Sequence, residues 1–224
     1  KPVSNENVQQ IIKEMNEEGL VVTEHDRIYM KSLFYAERGI AQNIMRIKSY
    51  ELQSEFTQAD MEKTLGELEE NHNVTYSHLQ KEAIETALHS PIMLLTGGPG
   101  TGKTTVIKGI VESYARLQGV NLDGRGTSEK ENRSLPIKLA APTGRAAKRM
   151  AEATELSAGT IHSLLGWKGS ATGFDKGDHD QLEGELLIVD EMSMVDAWVA
   201  NQLFKAIPKG MQVVLVGDEN QLPS

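Results

Sequence analysis

The nine residues Gly97-Gly98-Pro99-Gly100-Thr101-Gly102-Lys103-Thr104-Thr105 constrain this chain more than any other stretch. So dense a run of glycine cannot sit inside a helix or strand. It predicts a loop whose main chain comes close to another group. The apolar run Ile92 to Leu95 precedes it and reads as a buried strand; Val106, Ile107, Ile110 and Val111 follow at helical spacing. Strand, G-x-x-x-x-G-K-[ST] and helix, in that order, make a phosphate-binding loop. Backbone N–H groups converge on phosphate oxygens where side chains would block them, and the helix turns its positive end to the same anion. Lys103 adds a point charge for the β- and γ-phosphates, and the Thr104 hydroxyl is placed to ligate Mg²⁺. Gly98, Pro99, Gly100, Thr101, Gly102, Lys103, Thr104 and Thr105 are therefore the candidate triphosphate-binding set.

The 224 residues suffice for one large domain or two small ones, and 39% of them are hydrophobic, enough for a sizeable core. No run approaches a membrane span and no signal-peptide pattern opens the chain. The absence of cysteine excludes disulfides and thiolate metal sites and suits a reducing cytoplasm, the expected location. The net charge of −9 argues against a broad phosphate-coating surface, so any nucleic-acid contact must be a local basic patch.

Residues 1–72 read as a separate small unit. Val8, Ile11, Ile12 and Met15 mark an amphipathic helix ending near Gly19. Leu20–Val22 and Ile28–Met30 predict a hairpin. Leu33, Ile40, Ile44 and Ile47 trace a longer helix weakened by Gly39, and Met61, Leu65 and Leu68 another that starts near Thr57 and Asp60. Two readings stand here, a winged-helix-like module and a plain helical scaffold. Glu70-Asn71-His72-Asn73 is a polar break, expected to be a linker.

Residues 76–224 read as an α/β domain. Ile137 to Ala141, Leu186 to Val189 and Val213 to Val216 are further short apolar runs, each followed by polar or glycine-containing sequence. Strands alternating with helices imply a parallel sheet covered on both faces, with ligands beyond the strands' carboxyl ends. Asn121 to Pro136 is expected to be a mobile loop, and residues 166–185 an insertion, read as a projecting β-hairpin.

Further candidates lie at the ends of those runs. Asp190 and Glu191 close one strand, Asp190 to hold Mg²⁺ opposite Thr104 and Glu191 to orient or deprotonate the attacking water. After Val213 to Gly217, Asp218 supports the metal shell or the loop, and Gln221 senses the γ-phosphate. Thr143 and the helix opening at Gly144 offer a phosphate contact, with Arg145, Lys148 and Arg149 on one outer face. A solvated charged face is the equally weighted alternative. Gln80 either reads adenine or closes a capping box with Ser77. His162 and Trp167 either contact a nucleic acid or simply pack.

The set LTGGPGTGKTT, APTGRAAKRM, TIHSLLGW, LLIVDEMSMVD and VGDENQLPS resembles the RecD-like helicases, in the 5′-to-3′ branch of helicase superfamily 1. The likeness is dense over residues 76–224 and looser over GLVVTEHDRIYMKSLFYAE. It implies a RecA-like ATPase domain using ATP and Mg²⁺. Within it Lys103, Asp190, Glu191 and Gln221 would act in catalysis, Thr104 and Asp190 would hold the metal, and Gln80 would read adenine. Pro142, Thr143, Gly144, Arg145, Thr160 and His162 would line a single-stranded DNA path. Residues 166–185 fall where the family carries a strand-separating pin, although Phe174 is the only obvious aromatic wedge.

The resemblance makes this the N-terminal part of an ATP-dependent DNA helicase acting on single-stranded DNA and duplex junctions, with nuclease or other repair subunits as partners and no membrane. No arginine finger follows Gln221 before the chain stops at Ser224, so the first RecA-like domain reads as incomplete and the isolated segment as a feeble ATPase. A helicase segment of a conjugative relaxase and an ATP-controlled binding module without unwinding are the rival readings.

Overall fold

The computed structural model describes residues 4–52, 56–122, 135–169 and 173–218. The chain opens with α1 (Asn5–Glu17), a hairpin of β1 (Val21–Glu24) and β2 (Arg27–Met30), and α2 (Lys31–Lys48). Then come α3 (Gln58–His72), α4 (His78–His89), β3 (Ile92–Thr96), α5 (Lys103–Leu117), β4 (Ile137–Ala141), α6 (Gly144–Thr154), β5 (Ala158–Thr160), α7 (Ile161–Leu164), β6 (Leu186–Val189), α8 (Ala197–Ala206) and β7 (Gln212–Gly217). The last five strands form one parallel sheet in the order β3-β7-β6-β4-β5. This is the α/β, RecA-like architecture expected from the sequence.

Central strands of such a sheet have no solvent face, and β6 is buried at every position. Its alternate side chains divide between two cores. Leu186 and Ile188 join Ile137, Leu139, Val214 and Val216 under α4, α5 and α6. Leu187 and Val189 join Ala140, Val213 and Leu215 under α7 and α8.

The first core also holds Met61, Leu65 and Leu68 of α3, so that helix packs on the sheet domain although it precedes residue 72. Thr57 and Asp60 close a capping box at its start. The stretch Glu70–His72 is its last, solvent-facing turn rather than a linker, and Asn73 stops it in the left-handed conformation at φ 49°.

α2 belongs to the second core through Ile47. The Arg46 guanidinium donates to the carbonyl oxygens of Phe204 at 2.9 Å and Ile207 at 2.8 Å, satisfying the end of α8. Gly39 has a structural reason: a side chain there would collide with the amide of Asn201 on α8. The N-terminal hairpin forms as expected, whereas α1 has no buried residue and leaves Val8 and Ile11 exposed.

Of the expected insertion, the described residues hold no regular strand. They hold one antiparallel bridge, Trp167 to Phe174, and then irregular backbone that returns to the core at Leu182. Most of the expected mobile loop, 123–134, lies outside the described residues.

At the opposite end of the sheet from the glycine-rich loop, the buried Gln212 joins α4 to β7. Its amide nitrogen lies 3.0 Å from the Leu88 oxygen and 3.3 Å from those of Ala87 and Ser90. Leucine of similar size would leave these carbonyls unpaired, at a cost of about 1–3 kcal/mol. Gln212→Leu is expected to lower the urea midpoint accordingly with an unchanged m-value.

Candidate functional site

Because the five strands are parallel, their carboxyl ends share one edge, where the glycine loop, Pro142 to Arg145, Asp190 and Glu191 emerge. From β3 the chain enters the glycine loop, where Gly100 and Gly102 adopt φ of 76° and 85°. α5 starts at Lys103 with Gly102 as its cap, so its first N–H groups face the loop's concave side. The Lys103 ammonium is folded onto the loop, donating to the carbonyl oxygens of Gly97 at 2.5 Å and Gly98 at 2.9 Å. Thr101 Oγ1 also donates to Gly98 O, at 2.9 Å. Thr104 and Thr105 are exposed.

From β6 come the two acids. The Asp190 carboxylate accepts the Glu191 N–H at 2.8 Å, which steadies Glu191 in a left-handed turn at φ 53°. That conformation costs a non-glycine residue about 1 kcal/mol. A single turn of tighter helix, Met192–Met194, follows. Asp218, after β7, is buried at the same edge.

Pro99, Gly100, Gly102, Lys103, Thr104, Asp190, Glu191 and Asp218 line one crevice of about 430 Å³, closed on its other side by Arg149, Met150, Ala153 and Thr154 of α6. The phosphate loop and the acids, 87 positions apart from Lys103 to Asp190, thus share one open space. Its facing oxygen donors suit a hard cation shared with a triphosphate.

Arg149 was not separable from its neighbours in the sequence, where it belongs to a charged face with Arg145 and Lys148. In the structure its guanidinium donates to Glu191 Oε1 at 2.7 Å. Lys148 pairs weakly with Glu152 instead, at 3.8 Å. No spacing rule joins positions 149 and 191; only the adjacency of β4 and β6 brings them together.

Gln80 makes its cap: Ser77 Oγ accepts the Gln80 N–H at 3.3 Å, and Gln80 Oε1 accepts the Ser77 N–H at 2.9 Å. The amide nitrogen of the same side chain lies where any side chain on Gly102 would have to go. One residue thereby joins the start of α4 to the phosphate loop.

Of the residues expected along DNA, Thr143 caps α6 by accepting the Ala146 N–H at 3.2 Å, and Thr160 caps α7 by accepting the Ser163 N–H at 3.1 Å. Pro142 is half-buried, while Gly144 and Arg145 are exposed at the start of α6. His162 packs against Trp167 and Phe174, and Trp198, not singled out in the sequence, completes the cluster 5.1 Å from Phe174. Phe174 is therefore part of a packed aromatic group rather than a free wedge. Gln221 lies outside the described residues.

The AAA domain family matches residues 80–224, more than half of the chain. The chain belongs to the AAA domain family. Among curated proteins it is 36% identical over 147 residues to an ATP-dependent RecD2 DNA helicase of Deinococcus radiodurans, covering 66% of this chain and 18% of that protein. It is 38% identical over 164 residues to the RecBCD enzyme subunit RecD of Mycobacterium tuberculosis, covering 65% of this chain and 26% of that one. The chain thus spans about a fifth to a quarter of these relatives' lengths. Among solved structures, the Pif1 helicase of Candida albicans is 24% identical with a TM-score of 0.43, over 67% of this chain and 34% of that one. No helix among the described residues is long and apolar enough to cross a membrane.

The loop geometry of this AAA domain carries its own test. Gly102→Ala would force an L side chain into φ 85° against the Gln80 amide, costing about 1–2 kcal/mol. The variant is expected to melt lower and to bind a fluorescent ATP analogue about tenfold more weakly, as measured by anisotropy.

Proposed function

We propose that this chain is the nucleotide-binding part of an ATP-dependent DNA helicase of the RecD type. The observation that carries the proposal is the shared crevice in which Lys103 and Thr104 face Asp190 and Glu191. The RecD names of its relatives support the same reading.

In this reading the N–H groups of the loop and of the first turn of α5 bind the phosphates of ATP. Lys103 exchanges its two carbonyl partners for phosphate oxygens, a charge-assisted and stronger contact. Thr104 and Asp190 would hold Mg²⁺, which would offset charge on the phosphates when bound. Glu191 orients the attacking water and takes its proton as the oxygen bonds to the γ-phosphorus and the bond to the β-phosphate oxygen breaks. The Gln80 amide, beside Gly102, would read the nucleotide base while keeping its cap. Gln221 would report the γ-phosphate.

The single-stranded DNA path would follow Pro142, Thr143, Gly144, Arg145, Thr160 and His162 along the same edge. Since the Thr143 and Thr160 hydroxyls already cap helices, main-chain N–H groups and Arg145 would supply the phosphate contacts. Translocation, unwinding at duplex junctions and association with nuclease or repair subunits belong to the full-length protein.

Lys103→Ala removes one charged phosphate contact, equivalent to about 10- to 100-fold in affinity. The variant is expected to lose that much affinity for the ATP analogue with an unchanged melting temperature; wild-type affinity would overturn the assignment. In the full-length protein, Glu191→Gln is expected to keep ATP binding and lower DNA-stimulated turnover by at least about a hundredfold. Unimpaired turnover would exclude Glu191 as the base.

A further inference from the structure

The contact between Arg149 and Glu191 is not accounted for by the chemistry above. It joins α6, which opens at the expected DNA edge, to the acid expected to activate water. Glu191 is the less exposed partner, at 21%, whereas the Arg149 side chain is 64% exposed and open to other ligands. Both residues of the pair line the crevice. With Oε1 engaged by a guanidinium N–H, the Glu191 carboxylate is held toward α6 and one of its oxygens is already committed.

We propose that Arg149 is a positioning residue that withholds Glu191 from the attacking water until a DNA phosphate takes over its guanidinium. This rests on the helicase reading of the site. Arg149 lies four positions after Arg145, hence on the same face of α6, and that helix begins at Thr143 and Gly144. A backbone phosphate held there competes for Arg149 with a bidentate, charge-assisted partner. Once Arg149 turns to the phosphate, Glu191 is free to swing over the crevice. DNA binding and release of the acid are then one event, and the link works in both directions.

Because the pair is partly exposed, its strength corresponds to only about a two- to fivefold change in an equilibrium. In the full-length protein, Arg149→Ala is expected to raise the DNA-free kcat for ATP by that factor. The kcat ratio with and without saturating oligodeoxythymidine should fall by the same factor, with KM for ATP unchanged. Arg149→Lys, which restores the charge without the planar fork, should lie between. A second readout needs no turnover: without nucleotide, Glu191→Gln should tighten oligodeoxythymidine binding about two- to fivefold in fluorescence anisotropy, because it frees Arg149. A DNA-free kcat that stays level or falls in Arg149→Ala, or unchanged DNA affinity in Glu191→Gln, would overturn the proposal. If Glu191→Gln instead hydrolyses ATP normally, the failure lies in the assignment of the acid.

Discussion

Every strand of the large sheet runs the same way, and the remaining features depend on that constraint. Parallel strands with helices over both faces leave no polar side on which a functional group could sit. β6 buries all its side chains and can present a carboxylate only after it ends. β7 is likewise buried throughout and β4 at all but Lys138, whereas β3, at the sheet's edge, leaves Leu94 exposed rather than being the buried strand its apolar run suggested. One direction of travel therefore delivers the glycine loop, the two acids, Asp218 and the opening of α6 to a single rim, although hundreds of other pairings of these segments are conceivable. The crevice is a product of chain direction before it is a product of side-chain chemistry.

Much of this was legible in the sequence because it is written locally. The four runs read as strands at Ile92, Ile137, Leu186 and Val213 form strands, and the helix after Gly102 forms where its apolar spacing requires. What was missed is too short, too distant or, for one helix, crowded against a stronger motif. β5 is three residues, Ala158–Thr160, with nothing β-branched before Thr160 to mark it. α8 follows the acidic motif closely and was passed over, although Asp196 caps it and Val199, Leu203 and Phe204 form its buried face. The pairing of Arg149 with Glu191 and the reach of Arg46 to the end of α8 are tertiary, and no periodicity reports either.

One expectation failed for a physical reason. Polarity at Glu70-Asn71-His72-Asn73 was read as a linker; composition marked exposure and was taken for backbone geometry. α3 keeps its ladder through a wet last turn. Within 166–185, the described residues bring the rings of Trp167 and Phe174 to 4.7 Å and bury Leu182 in the core. Glu191 shows the reverse: nothing in its local sequence announces a left-handed residue, yet the Asp190 carboxylate beside it makes that turn tenable.

α4 has a place in the machine that its modest sequence does not advertise. Its first turn touches Gly102 through Gln80, and its last turn is bolted to β7 through Gln212. A rod pinned at its far end and touching the glycine loop at its near end has the geometry of a lever. A shift of the glycine loop on filling would press on α4 through Gln80, while Gln212 holds the other end. Met61, Leu65 and Leu68 of α3, packed in the same core as Ile84, Ala87 and Leu88 of α4, would feel that push first.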